Sequence, residues 1–168
     1  MIIALTGFPG SGKTSVGREL SAITGLPLID LDHLVEKISG KSIEDIFAED
    51  GEEAFRCLET EALRNIDFDK DGILALGGGS LLRAENAELL GDKAVVVWLK
   101  TTPENLMSRL VEGVSGSRPL LIGNVQERLG SLLVKRAGHY ESRAGFTVST
   151  DGKTPDEVAG EILRKIKF

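Results

Sequence analysis

Several features are scarce in this chain, and each scarcity excludes something. One cysteine, Cys57, occurs in 168 residues, which rules out an internal disulfide and suits a reducing compartment. No apolar run approaches the ~20 residues of a membrane-spanning helix. The start runs straight into apolar residues without a signal-peptide pattern, so the expectation is a cytoplasmic protein. Basic residues are not in excess: 20 Lys and Arg against 26 Asp and Glu leave a net charge of -6. That argues against a general nucleic-acid binder, whose surface must offset phosphate charge. Internal repeats, linkers and low-complexity tracts are also missing. With 41% hydrophobic residues, the chain can fill one core but is too short to divide into two, so a single domain over residues 1–168 is expected. Nothing in it requires more than a monomer.

What is present begins with Gly7-Phe8-Pro9-Gly10-Ser11-Gly12-Lys13-Thr14, a G-x-x-x-x-G-K-T stretch directly behind an apolar N-terminal run. In that context, between a strand and a helix, it reads as a phosphate-binding loop. Backbone N–H groups from Gly10 to Ser15 would turn inward as an anion cradle, aided by the positive end of the helix starting near Lys13. Lys13 would reach the outer phosphates and Thr14 would ligate Mg2+. The dinucleotide fingerprint fails, because Ser15 stands where its third glycine belongs.

Short apolar runs at Ile2 to Thr6, Pro27 to Asp30, Gly72 to Leu76, Ala94 to Leu99 and Phe146 to Ser149 are mostly continuous, as in parallel strands covered on both faces. Segments of helical period fill the intervals. Val16, Leu20 and Ile23 mark one helix, which Gly25 stops; Phe55, Leu58, Ala62 and Ile66 mark another. Ser42 to Asp45 resembles a capping box, and Thr102-Pro103 and Thr154-Pro155 each place a proline at the first helical position after a capping threonine. The pattern predicts an α/β fold, a three-layer sandwich of five parallel strands between helices, with ligands beyond the carboxyl ends of the strands. A long irregular stretch from Glu112 to Asn124 reads as a lid or a disordered excursion.

The strand ends carry the remaining candidates. Asp30 and Asp32 follow the second strand, placed either to face the crevice beside the phosphate loop or to cap the next helix. Gly77-Gly78-Gly79 ends the third, either as bare backbone against a ligand or as a flexible turn. Arg136 falls on the apolar stripe of Val125, Leu129, Leu132, Leu133 and Tyr140. A guanidinium facing inward needs an anion, either a protein carboxylate or one belonging to a ligand. Arg56 sits at the margin of its helix's apolar face, where position alone suggests a snorkelling surface residue. Arg118, inside the glycine-rich stretch, either swings over a transferring phosphate or simply solvates a loop.

Together with Gly51-Glu52-x-x-Phe55-Arg56, Arg118-Pro119-Leu120-Leu121 and Lys135-Arg136-Ala137, these motifs occur in the order and approximate spacing of the shikimate kinases, which the chain resembles nearly end to end. The resemblance implies a nucleoside-monophosphate-kinase fold with strand order 2-3-1-4-5. It also implies transfer of the γ-phosphate of ATP to the 3-hydroxyl of shikimate, in the chorismate route to aromatic amino acids. By position, Lys13, Asp32 and Arg118 would be catalytic, with Asp32 binding the attacking hydroxyl. Asp30 would act on Mg2+ through water, and Arg109 would stack on adenine, near Lys153 to Pro155. Arg56 and Arg136 would clamp the shikimate carboxylate while Gly77, Gly78 and Gly79 offer backbone N–H groups. Substrate-binding helices would span about 31–66 and a lid about 112–124.

One departure stands out. The family commonly has a proline two residues after this arginine, where the chain has Gly138 followed by His139. Gly138 can also end the helix there. His33 and His139 have no partner at catalytic or ligand spacing. Two other readings remain: a gluconate-kinase-like enzyme of the same fold, and a non-catalytic nucleotide-binding relative. A GTPase is excluded by the lack of N-K-x-D, and its D-x-x-G occurs, as Asp69 to Gly72, before the third strand rather than after it.

Overall fold

The computed structural model describes residues 1–112 and 125–167. The expected lid beyond Glu112, with Arg118, therefore lies outside the described residues. Five strands form one sheet: β1 (Ile2–Thr6), β2 (Leu28–Asp30), β3 (Gly72–Ala75), β4 (Ala94–Lys100) and β5 (Phe146–Ser149), in the order β2-β3-β1-β4-β5 with every pair parallel. The expected order and the five expected strands are therefore both present.

The pleat of the central strand builds two cores. Successive side chains of β1 point to opposite faces, so Ile2 and Ala4 join Leu74 and Val96 on one side, while Ile3 and Leu5 join Ile73 and Val97 on the other. The first face is covered by α2 (Leu31–Ser39), α4 (Gly51–Arg64) and α5 (Ala84–Leu90), through Val35, Ala62, Leu63 and Leu90. The second is covered by α1 (Lys13–Thr24) and α8 (Pro155–Ile166), through Val16, Leu20, Val158 and Ile162. Burial on both faces explains why the strands read as unbroken apolar runs rather than alternating ones.

Local signals set the helix ends. Gly25 closes α1 in the left-handed region (φ 74°), its N–H donating to the Ser21 carbonyl at 2.9 Å. Gly17 lets α1 approach β2 closely, since a Cβ there would stand 2.8 Å from Leu28 Cδ1. Gly17 and Leu20 take the centre of the buried face, so Ile23, expected on the stripe, is displaced to its rim and is 55% exposed. Ser42 opens the short α3 (Ile43–Asp45), accepting from the Asp45 N–H at 3.1 Å, and a π-helical turn over Ile46–Asp50 leads into α4. Glu157 accepts from the Thr154 N–H at 2.9 Å where Pro155 begins α8.

The remaining helices are α6 (Pro103–Glu112) and α7 (Val125–Arg143). The sequence left open whether Gly138 ends its helix; α7 runs through it and continues five residues, to Arg143. Unlike proline, glycine keeps its N–H, so the helical hydrogen bonds persist. The continuation is also anchored downstream, where the Tyr140 hydroxyl donates to the Gly78 carbonyl and Arg143 to those of Leu81 and Arg83.

A Cβ at Gly138 would meet nothing within 4 Å. Gly138→Ala is therefore expected to stabilise the fold by about 0.5–1 kcal/mol, through the lost backbone entropy of the unfolded chain. Equilibrium denaturation should show an increased urea midpoint at unchanged slope; a decrease would mean that the helix needs a break here.

Candidate active site

A cleft of about 630 Å³ opens beyond the carboxyl ends of the strands, with the phosphate loop on one side and α2, α4 and the glycine turn on the other. The loop's shape follows from its glycines. Gly10 (φ 90°) and Gly12 (φ 95°) adopt backbone conformations that L side chains rarely take. At Gly7 a Cβ would lie 2.7 Å from the Leu99 carbonyl oxygen. The Ser11 N–H donates to the Phe8 carbonyl at 3.0 Å, curling the loop, and α1 starts behind Gly12. Lys13 folds back along the loop, its Nζ 2.9 Å from the Gly7 carbonyl oxygen and 3.2 Å from that of Phe8.

The two aspartates do different things, and for Asp30 the alternative readings coexist. Its Oδ1 caps α2 by accepting from the Asp32 N–H at 3.1 Å, while its Oδ2 accepts from Thr14 Oγ1 at 3.2 Å. The Thr14 hydroxyl and the Asp30 carboxylate therefore stand side by side at the foot of the phosphate loop. They are hard oxygen donors of the kind Mg2+ takes, one or two at a time, alongside phosphates and waters. Asp32 lines the cleft from the first turn of α2 and stays open to water on one side. Loss of hydration, with the Glu59 and Asp30 carboxylates adding to it, pushes its pKa up to about 6 against the opposing pull of Lys13 and Arg56.

Opposite the loop, the glycine turn is a packing device. A Cβ at Gly77 would stand 2.5 Å from Glu59 Oε1, one at Gly78 would be 2.8 Å from the Pro9 ring, and one at Gly79 would be 2.7 Å from Arg56 Cζ. None of the three has a positive φ. Space, rather than conformational freedom, therefore requires glycine here.

The two arginines differ. Arg56 is not the surface residue that its position suggested: it is 7% exposed, pairs with Glu59 at 2.5 Å and reaches Glu52 at 3.2 Å. Its charge could be buried because Glu59, 0% exposed, is buried with it. Arg136 is buried to 2% beside Gly78, over the Phe8 ring at 5.6 Å. It forms no ion pair among the described residues, and its Nε has no hydrogen-bond partner. Tyr140 stands one turn on, its hydroxyl pinning the Gly78 carbonyl, and burial pushes its pKa to about 12.

Arg109 also lines the cleft, at the far end of the phosphate loop. It donates to the Thr150 carbonyl at 3.2 Å and the Gly10 carbonyl at 3.4 Å, which places it where β5 meets the loop. Lys153 and Pro155 border the same end. Sequence reading missed Glu59. Its signal was available: Glu59 lies one turn beyond Arg56, at i+3, and between Phe55 and Ala62 on the buried face.

A family model described as "Shikimate kinase" matches residues 9–167. The chain is 42% identical over 166 residues to a shikimate kinase of Thermobifida fusca (strain YX), covering 98% of this chain and 94% of that one. It is 41% identical to one of Dictyoglomus turgidum (strain DSM 6724 / Z-1310), covering 98% and 96%. The solved shikimate kinase from Acinetobacter baumannii in complex with shikimate is similar at 35% identity with a TM-score of 0.92, covering 99% of this chain and 92% of that one.

The raised pKa of Asp32 makes a stability prediction. A carboxyl that titrates near 6 when folded and near 3.8 when unfolded favours the fold while protonated. That contribution is complete below the unfolded value and lost as the pH rises through the folded one. Asp32→Asn should therefore melt close to the wild type at pH 4 and increasingly above it up to about pH 6, with the gap constant thereafter. Parallel melting curves in a pH series would check this; a gap independent of pH would contradict it.

Proposed function

The chain belongs to the shikimate kinase family, and on that premise we propose that it transfers the γ-phosphate of ATP to the 3-hydroxyl of shikimate, giving shikimate 3-phosphate and ADP. The observation that carries the choice of acceptor is Arg136, a buried guanidinium at the cleft wall with no protein carboxylate to neutralise it among the described residues. A buried charge without an ion partner costs several kcal/mol, and a substrate carboxylate supplies the partner. Arg56, already oriented by Glu59, lies across Gly78 and Gly79 from it and completes the clamp.

The division of labour follows the cleft. The loop from Gly10 to Ser15 takes the phosphates on its N–H groups. Lys13 lies along the loop, its Nζ on the Gly7 and Phe8 carbonyls, and would swing from there to meet the outer phosphates. Arg109, held at the loop's far end, marks the side for adenine. Thr14 and Asp30 would hold Mg2+, Asp30 through water, and the ion would supply charge neutralisation on the phosphates. Asp32 faces the acceptor side, orients the attacking hydroxyl and takes its proton late, since phosphoryl transfer relies more on positioning and charge neutralisation than on a strong base. Gly77, Gly78 and Gly79 present backbone to the acceptor. Arg118, which lies outside the described residues, is assigned to close over the transferring phosphate, and the stretch around it to exclude water. The expected setting is a monomer in the cytoplasm.

A gluconate-kinase-like enzyme would share the loop, and its acceptor also brings a carboxylate, but on an open chain rather than on a ring. A coupled assay of ADP release with shikimate, gluconate and nucleoside monophosphates separates these readings, and turnover is expected with shikimate alone. Preference for another acceptor would overturn the assignment, and no turnover with any would indicate a non-catalytic relative. Asp32→Ala should lower kcat by about 10²–10⁴-fold, whereas Arg136→Ala should raise the KM for shikimate by roughly 10- to 100-fold and leave that for ATP nearly unchanged. Because Asp32 must be ionised to accept the proton, kcat/KM should fall about tenfold per pH unit below about 6. A flat profile down to pH 5 would remove the base role.

A further inference from the structure

Behind the acceptor wall lies a closed circuit of buried polar groups. Glu59 uses Oε2 to hold Arg56, and its Oε1 accepts from the Ser80 hydroxyl at 2.5 Å. Ser80 belongs to the turn that follows the glycines, closed by Ser80 N–H to the Gly77 carbonyl at 3.1 Å and Leu82 N–H to the Gly79 carbonyl at 3.0 Å. The Ser80 carbonyl accepts from Asn86 Nδ2 at 2.8 Å. Asn86 Oδ1 in turn accepts from the Thr60 hydroxyl at 2.8 Å, and that hydroxyl also lies 3.1 Å from the Arg56 carbonyl oxygen. The chain Arg56–Glu59–Ser80–Asn86–Thr60 thus leaves α4, crosses the glycine turn and α5, and returns to α4 one turn from where it began.

Glu59, Ser80 and Asn86 are each 0% exposed and Thr60 is 3% exposed. Only Arg56 and Glu59 of the five line the cleft. Asn86 stands on α5 between Leu81 and Leu90, both members of the apolar core. A leucine of similar size would suit such surroundings, so a buried amide there has to be explained by its hydrogen bonds. Its orientation is set on both sides, because the Ser80 carbonyl demands a donor and the Thr60 hydroxyl donates.

We propose that Asn86 is a positioning residue for the acceptor: by fixing the Ser80 turn it fixes Glu59, and through Glu59 the direction in which Arg56 presents its guanidinium. The inference rests on the reading that Arg56 holds the acceptor's carboxylate. A bidentate arginine contact tolerates little angular error. A long side chain on one helix is held in direction only if the carboxylate behind it is itself immobile. Asn86 supplies that immobility from a second helix, without touching substrate.

The test compares kcat, both KM values and the melting temperature for wild type, Asn86→Leu, Arg56→Ala and the double variant, with Thr60→Val as a milder break in the same circuit should Asn86→Leu not fold. Asn86→Leu is expected to raise the KM for shikimate about tenfold and to leave that for ATP within about twofold. In the Arg56→Ala background the same substitution should add nothing. Thr60→Val should show the same selectivity at smaller size. An unchanged shikimate KM, an equal rise in both KM values, or the same fold-change in both backgrounds overturns the role of Asn86. An unchanged shikimate KM in Arg56→Ala alone instead overturns the carboxylate clamp on which the inference stands.

Discussion

Bare backbone at Gly77, Gly78 and Gly79 is the constraint on which the side of the cleft opposite the phosphate loop depends. Glu59, Pro9, Arg136 and Arg56 all approach the turn to distances that a Cβ would occupy. Two guanidinium groups and a carboxylate can therefore lie against main chain at the floor of a cleft instead of extending into water. Removing side chains costs chain entropy, and here it provides room for charge. The turn is in turn held from below by Asn86 and from the side by Tyr140 and Arg143, which donate to its carbonyls.

The charges gathered around this turn are unequally matched. Arg56 and Glu59 form a buried pair, an arrangement that adds little net stability when intact and is costly to break because one charge is then stranded. Arg136 has no such partner among the described residues, and lost hydration, with the nearby carboxylates, holds Asp32 at a pKa of about 6. Both are poorly neutralised within the protein, and they face the same space from different elements. On the proposed reading, an acceptor that carries a carboxylate for one and a hydroxyl for the other relieves both. Such groups cluster where binding and chemistry occur.

The sheet connects the two halves of the site. Parallel strands send all their carboxyl ends to one edge, so β1 delivers the phosphate loop, β2 the Asp30 and Asp32 pair, and β3 the glycine turn, side by side in the order β2-β3-β1. Thr14 reaches Asp30 across that edge although they are 16 residues apart, and Arg109 reaches Gly10 although 99 residues separate them. α7 adds the last element. Continuing through Gly138, it carries Arg136 and Tyr140 on one buried face to the back of the glycine turn.

Much of this was legible in the sequence. Unbroken apolar runs identified the five strands, because burial on both faces removes alternation. The phosphate loop was legible because its spacing is local and its glycines are required by backbone geometry, and Arg136 because an arginine on an apolar stripe demands an anion. Other features depended on contacts between distant segments. Arg56 looked like a surface residue because periodicity does not show that Glu59 and Gly79 wall it in. The glycine turn could equally have been flexible, because nothing local shows that side chains from α4 and α7 fill its missing volume. Whether Gly138 ends its helix stayed open, because the anchors that carry the helix through it, Tyr140 to Gly78 and Arg143 to Leu81, lie far along the chain. By itself the sequence determined the strands, the phosphate loop and the need for an anion at Arg136, since these follow from local geometry and burial pattern. Only the tertiary structure decided how the second arginine is held and which carboxylate titrates near 6, since both depend on which charges the fold brings within a few ångströms and how much water it leaves them.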